Sequence, residues 1–214
     1  MDQYTADILS LTRQLKEHLE ASCVPGALDL KSHMFPVSWG VLLRMDAIYR
    51  FNSAVKKLLN KRIANNAADA FTEALAWYIT AAAKSNGYED ITVKSEHPLD
   101  PKAKGRGKLK PDISIWHKDR CIGVVEAKTQ LGWSRSTWEG ELLDRERALQ
   151  SIVPDLDVVF VVLTSCNWSG FLPEHAKTGT QWFHLCDTWP GSADKMNLIH
   201  PIEDALMRIF QRSL

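Results

Sequence analysis

The sequence predicts an α/β fold with a mixed central sheet flanked by helices. Apolar residues recur at helical spacing through about the first 90 residues, and the period changes to that of strands from Ile91 onward. A helical pattern at residues 138–152 then lies between two strand patterns, and a helix between strands implies a crossover connection. The next segment, residues 157–163, is a near-continuous apolar run, which is typical of a strand buried on both faces.

Helices are predicted on both sides of the strand-rich part of the chain. They cover about residues 5–21, about 38–61, from Asn65 or Asn66 to Asn86-Gly87, and 201–210. The strand patterns cover 91–98, 109–116, 121–128, 157–163 and 182–186, with a polar turn at 117–120. We therefore expect residues 1–64 to form an N-terminal helical region packed on or extending a core of residues 65–214.

The composition is that of a soluble globular protein, with 45% hydrophobic and 24% charged residues. No apolar run approaches the roughly 20 residues of a membrane span, and the N-terminus lacks the pattern of a signal peptide, so we expect a cytoplasmic protein with no membrane partner. The formal net charge is zero, so a nucleic-acid partner would have to be held by local patches. The four cysteines are scattered, without metal-ligand spacing, and are expected to be buried free thiols.

The hairpin at residues 110–128, KPDISIWHKDRCIGVVEAK, carries Asp112, Glu126 and Lys128 in an otherwise apolar frame. Because side chains alternate along a strand, Glu126 and Lys128 should share one face and Ala127 should face a packed helix. Converging carboxylates repel each other unless a cation lies between them, and such oxygen ligands suit Mg²⁺ or Mn²⁺. Lys128 would then orient or help to deprotonate a water. The alternative is a surface hairpin in which Lys128 forms an ion pair with either carboxylate.

Pro111-Asp112, thirteen intervening residues and Glu126-Ala127-Lys128 resemble the signature of the PD-(D/E)XK nuclease superfamily. The resemblance implies a restriction-endonuclease-like αβββαβ core, metal binding by Asp112 and Glu126, and a Lys128 that assists the attacking water. Many members add a glutamate from the helix before the first core strand, and Glu73 is the counterpart here, unless it lies on a solvated face or pairs with Arg62. The predicted catalytic residues are Asp112, Glu126, Lys128 and Glu73, and the predicted metal ligands are Asp112, Glu126, Ala127 and Glu73.

The predicted substrate contacts surround this hairpin. A basic, glycine-rich loop precedes Asp112, and its cations would meet phosphates, although a solvated loop is the commoner meaning of a charge run. Polar residues that follow Lys128 can contact phosphates or base edges. The candidate residues are Lys104, Arg106, Lys108, Lys110, Gln130, Ser134 and Arg135. Arg145 and Arg147 are expected to form intrahelical ion pairs, and His184 and Cys186 are assigned to packing.

The resemblance implies a Mg²⁺-dependent DNA endonuclease, with Mn²⁺ able to substitute, most like a small type II restriction enzyme. Such enzymes act as homodimers on double-stranded DNA, and no organic cofactor is expected. One alternative is a structure-specific or exonucleolytic repair or recombination nuclease of the same superfamily. The other is a nuclease-like module that binds DNA without catalysis.

Overall fold

The computed structural model describes residues 36–60, 66–100, 109–131, 135–192 and 196–213, with the side chains of 135–137 left out. The predicted helix at 5–21 and the basic loop at 101–108 lie outside the described residues. The boundary predicted between residues 64 and 65 also falls in such a gap, so the division of the chain stays a prediction.

Each predicted helix and strand within the described ranges is present. The helices are α1 (Val37–Leu59), α2 (Ala67–Ser85), α3 (Arg135–Ile152) and α4 (Glu203–Gln211), and the strands are β1 (Ile91–Ser95), β2 (Ile113–His117), β3 (Arg120–Lys128), β4 (Asp157–Thr164) and β5 (Trp182–Cys186). The strands β1 and β2 are shorter than predicted. Glu96 has a φ of 47°, in the left-handed region, which ends β1. Pro111, which has no backbone N–H, precedes β2.

The five strands form one mixed sheet in the order β1-β2-β3-β4-β5. The first two pairings are antiparallel, whereas β3 pairs with β4, and β4 with β5, in parallel. The helix α3 makes the crossover between the parallel strands β3 and β4, as expected for a helix between neighbouring parallel strands. The predicted α/β architecture with a mixed sheet is therefore confirmed.

The two faces of the sheet carry different cores. One face, the aliphatic face, packs against α1, α2 and α4 through mainly aliphatic side chains. The opposite face, the aromatic face, packs against α3 and includes Trp138, Phe160, Phe171 and Trp182. None of the helices in the described ranges is both long and apolar enough to cross a membrane.

Strand β3 contributes side chains to both faces in alternation. Val124 belongs to the aromatic face, whereas Val125 and Ala127 belong to the aliphatic face. Glu126 therefore points to the aromatic side. The predicted division of Glu126 and Ala127 between opposite sides of the strand is confirmed.

The packing of α1 ties the beginning of the described chain to its end. Gly40 allows α1 to approach α2, because a Cβ at this position would lie 2.2 Å from Cε1 of Tyr78. The Ser38 hydroxyl donates a hydrogen bond to Glu203 Oε2 at 2.7 Å and accepts one from the Ile202 N–H at 2.9 Å. This contact connects α1 to the start of α4.

Candidate active site

Asp112 lies directly before β2, next to the end of β3. Its Oδ2 accepts a hydrogen bond from the Ala127 N–H at 2.8 Å. The antiparallel register, in which Ile113 pairs with Val125, places Asp112 beside the Glu126-Ala127 segment. The hairpin therefore holds the Asp112 carboxylate at a defined position through a backbone contact.

Glu126 is a buried carboxylate, with only 3% of its surface exposed. Arg145 on α3 donates from Nη2 to Glu126 Oε1 at 2.9 Å, and the same nitrogen donates to the Lys110 carbonyl oxygen at 2.6 Å. Burial raises the pKa of Glu126 above its ordinary value, and the hydrogen bond and charge of Arg145 oppose that rise. A buried carboxylate requires such a partner because desolvation of an unpaired charge is costly.

Lys128 ends β3 and is exposed. Among the described residues, no ion pair joins Lys128 to Asp112 or Glu126, since Glu126 pairs with Arg145 instead. The alternative, in which Lys128 forms an ion pair with Asp112 or Glu126, is therefore wrong for this structure. The ammonium group remains available to the cavities at the end of β3.

Two cavities meet at this end of the hairpin. The first, the α3 cavity, has a volume of about 380 Å³ and lies on the aromatic side. Its charged lining consists of Asp112, Glu126, Lys128, Glu141 and Arg145. The two predicted carboxylates and the predicted lysine thus line one cavity, together with two charged residues from α3.

The second, the α2 cavity, has a volume of about 720 Å³. Seven residues of α2 line it, among them Glu73 and the exposed Trp77. It shares Asp112, Lys128 and Gln130 with the α3 cavity. The end of β3 therefore separates a smaller cavity beside α3 from a larger one beside α2.

Glu73 lines the α2 cavity and not the α3 cavity. Arg44 on α1 donates to its Oε1 at 2.6 Å, and 66% of the Glu73 side chain is exposed. Arg62, the pairing partner considered from the sequence, lies outside the described residues. The structure thus pairs Glu73 with Arg44 and separates it from the cavity that contains Glu126.

The donor set fits a divalent cation held by two carboxylates. Mg²⁺ is commonly bound through one or two carboxylates while it keeps several waters, and Asp112 and Glu126 line the same cavity. In the part of the chain that the structure describes, no group of three or more His, Cys, Asp or Glu side chains is placed to hold one ion. The metal ligand set of Asp112, Glu126, Ala127 and Glu73 stays a prediction.

The predicted substrate residues are described only in part. Gln130 lines both cavities and its Oε1 accepts a hydrogen bond from Asn167 Nδ2 at 2.6 Å. Lys110 is exposed, and its carbonyl oxygen accepts from Arg145. Arg135 begins α3, but its side chain is not among those described. The remaining candidates, Lys104, Arg106, Lys108 and Ser134, lie outside the described residues.

Arg145 is the site residue that the sequence reasoning missed. The predicted intrahelical pair is wrong for Arg145, which reaches Glu126, and correct for Arg147, which donates to Asp144 at 3.0 Å. A signal was present, because Arg145 is three residues after Leu142 and four before Leu149, both of which are buried. Residues at these spacings share a helix face, so an arginine in that row should face the sheet.

The remaining candidate groups are structural. His184 and Cys186 are buried, as predicted, and burial lowers the pKa of His184 to about 4. Burial also raises the pKa of the thiols of Cys121 and Cys186 to about 11, so neither is a ready nucleophile. Cys166 is only half-buried, so the prediction of a buried thiol is wrong at this position, and Cys23 lies outside the described residues.

Comparison with models of known protein families, and comparison with curated proteins, gave no match for this chain. The interpretation of the site therefore depends on its own residues: a buried carboxylate, a carboxylate held by a backbone N–H, and a lysine that lines both cavities.

Proposed function

We propose that this protein is a divalent-metal-dependent DNA endonuclease of the PD-(D/E)XK nuclease superfamily, most like a type II restriction enzyme. One observation carries the proposal: Asp112, Glu126 and Lys128 line a single cavity at the end of the hairpin. Two carboxylates and a lysine in one cavity are a suitable set for metal-assisted hydrolysis of a phosphodiester.

The order of elements supports the same proposal. The helix α2 is followed by three antiparallel strands, the helix α3 and the parallel strand β4. This is the αβββαβ order expected of a restriction-endonuclease-like core. The strand β5 and the helix α4 extend that core at its C-terminal side.

The residues of the site have separable roles in this proposal. A divalent metal bound at Asp112 and Glu126 would neutralise charge on the phosphate and acidify a water. The Ala127 N–H keeps Asp112 directed to the site. Lys128, exposed at the end of β3, orients the attacking water and stabilises negative charge that develops on the phosphate. Glu73 lines the α2 cavity, and a comparison of the Glu73→Gln and Glu126→Gln variants tests whether it is a metal ligand.

The DNA contacts belong to the same proposal. Gln130 lines both cavities, and the backbone of Lys110 contacts Arg145 of the α3 cavity. The side chains of Lys110, Arg135, Ser134 and the cations of the basic loop would add contacts to the phosphate backbone. We expect Mg²⁺ to support activity and Mn²⁺ to substitute for it. A homodimer would place two such sites on the two strands of a duplex.

Incubation of the protein with plasmid DNA and Mg²⁺ or Mn²⁺ tests the proposal. We expect discrete fragments from the wild type, and none from Asp112→Ala or Lys128→Ala. Asp119→Ala is the matched control, because Asp119 is an exposed carboxylate at the turn of the same hairpin. Absence of cleavage by the wild type, or cleavage that Asp112→Ala leaves unchanged, overturns the proposal. Linear, nicked and junction substrates separate a restriction enzyme from a repair or recombination nuclease.

A second candidate is a nuclease-like module that binds DNA without cutting it. The ion pair between Arg145 and Glu126 favours it, because this contact already neutralises the buried carboxylate without a metal. Calorimetric titration with Mg²⁺ separates the two candidates. A module without catalysis would bind DNA, and its titration with Mg²⁺ would give the same heat in the wild type and in Asp112→Ala.

A further inference from the structure

Arg145 occupies the place beside Glu126 that a cation would take. A single nitrogen, Nη2, contacts both a carboxylate oxygen and the carbonyl oxygen of Lys110, at 2.9 Å and 2.6 Å. Carboxylate and carbonyl oxygens are also ligands of hard divalent cations. The guanidinium group and a metal would therefore compete for the same Glu126 carboxylate.

The charged side chains that line the α3 cavity are consistent with a metal that replaces Arg145 beside Glu126. The α3 cavity is lined by three carboxylates, those of Asp112, Glu126 and Glu141, and by the two cations Lys128 and Arg145. If all five side chains are ionised, the lining carries one net negative charge. A divalent metal and one phosphodiester group would together bring that charge to zero, and no cation would have to leave the cavity.

The position of Arg145 allows it to contact either Glu126 or a phosphate bound in the α3 cavity. About 29% of its side chain is exposed, whereas only 3% of the Glu126 side chain is. Its helix is held to the sheet by Trp138, Leu142 and Leu149, which are buried in the core of the aromatic face. The backbone is thus fixed, while the long side chain can rotate within the cavity that would contain the phosphate.

On the basis of the proposed function, we infer that Arg145 is an exchangeable counter-ion of Glu126. Before metal binding, Arg145 neutralises the buried carboxylate. When the metal binds, Arg145 gives up Glu126 and donates to a non-bridging oxygen of the substrate phosphate. Arg145 thus both weakens metal binding to the free protein and contributes to cleavage, two roles that an arginine which only positions Glu126 would not combine.

The variant Arg145→Met tests this inference because methionine keeps much of the length of the side chain and removes its charge. Calorimetric titration with MgCl2, without DNA, measures metal affinity, and single-turnover cleavage at saturating Mg²⁺ measures the contribution to the reaction. We expect Mg²⁺ to bind Arg145→Met about tenfold more tightly than the wild type, because the competitor is absent. We expect cleavage to be slower by about 100-fold, the usual cost of removing one charge-stabilising donor.

The matched control is Arg147→Met, on the same helix. Arg147 is 75% exposed and pairs with Asp144, three residues away on the same helix, so both measurements should stay within about twofold of the wild type. Arg145→Lys is the second variant, for the case in which Arg145→Met does not fold. Lysine keeps the charge as a compact, strongly hydrated ammonium in place of the planar guanidinium, so it should shift both measurements in the same directions by smaller factors.

The outcomes distinguish this inference from the proposed function. Weaker Mg²⁺ binding by Arg145→Met shows that Arg145 only positions Glu126, and unchanged cleavage removes its role at the phosphate. Either result overturns the inference and leaves the nuclease proposal intact. A wild type that neither binds Mg²⁺ nor cleaves DNA overturns both.

Discussion

The two faces of the sheet differ in which titratable groups they bury. On the aliphatic side, the Glu73 carboxylate, paired with Arg44, lies largely in solvent, and the buried carboxylate is that of Asp46 on α1, which accepts from Arg50 and from the Gly191 N–H. On the aromatic side, Glu126, Glu146 and His184 are all less than 9% exposed. A buried charge is tolerated only with a partner, and Glu126 has Arg145 while Glu146 bonds Lys177 and Gln181. The aromatic face thus buries a strand carboxylate, Glu126, in the lining of a cavity at an energetic cost, and a functional site is expected at such a place.

Aromatic packing fixes the geometry around these buried groups. Trp138 on α3 makes edge contacts with the rings of Trp168, Phe171 and Trp182, with centroids 5.4–5.9 Å apart. His175 stacks on Trp182 and contacts Glu139 of α3 at 2.8 Å. These contacts hold α3 against the sheet, so they also hold Arg145 opposite Glu126.

The largest expected difference between the faces concerns stability. Phe160, 2% exposed, lines the α3 cavity, whereas Trp77, 41% exposed, lines the α2 cavity. Phe160→Ala should lower the free energy of unfolding by about 3–5 kcal/mol because it leaves a cavity in the core. Trp77→Ala should lower it by less than about 1 kcal/mol, since a surface substitution removes little buried area. Chemical denaturation measures both, and equal losses would contradict this difference between the two cavities.

The second expected difference concerns cleavage. Glu126→Gln should slow DNA cleavage by about 100-fold, equivalent to about 2.7 kcal/mol, because it removes a charged metal ligand. Glu73→Gln should change the rate by less than about threefold if the metal lies in the α3 cavity alone. Single-turnover rates at saturating Mg²⁺ provide the measurement. A comparable loss in Glu73→Gln would instead show that Glu73 is a ligand, as the sequence predicts, and that the two cavities form one site.

The third expected difference is a dependence of stability on pH that arises from the aromatic face. The pKa of His184 is lowered from 6.5 to about 4, by burial first and then by His200. The unfolded chain therefore takes up this proton at a higher pH than the folded chain does, and folding is destabilised as pH falls from about 6.5 towards 4. Between pH 7 and pH 5 we expect this histidine to remove about 2 kcal/mol from the free energy of unfolding.

His184→Gln should lose clearly less stability over the same pH interval, measured by urea unfolding at both pH values. His117→Gln is the control, because His117 lies at the end of β2, whereas His184 lies on β5 and contacts His200. A pH dependence in His184→Gln as steep as that of the wild type would assign the acid sensitivity to other groups.

The smallest expected effect is on the aliphatic side. Glu73→Ala should lower the free energy of unfolding by less than about 1 kcal/mol, because exposed ion pairs contribute little. Added salt should reduce the difference further, since it screens such pairs. Urea unfolding at low and high salt measures this. A loss above about 2 kcal/mol would mean that the pair with Arg44 is a structural contact comparable to those of the aromatic face.

The order of the elements could be predicted, and so could the hairpin residues of the candidate site, Asp112, Glu126 and Lys128. Both depend on local patterns in the sequence. The alternation along β3 already separates Glu126 from Ala127, and the short turn of the hairpin brings Asp112 beside them. The ends of β1 and β2 were harder to predict, because the left-handed backbone at Glu96 is not evident in an apolar pattern.

The alternation of helices and strands, the mixed sheet and the hairpin that presents Asp112, Glu126 and Lys128 follow from the period of apolar residues over short distances, so they can be predicted from the sequence. The partners of the charged groups depend instead on how the elements pack in three dimensions. Arg145 is 19 residues from Glu126, and Arg44 is 29 residues from Glu73. The apolar period of a helix indicates which of its faces docks on the sheet. It does not indicate which residue of another segment lies opposite, because that depends on how the two elements are placed relative to each other.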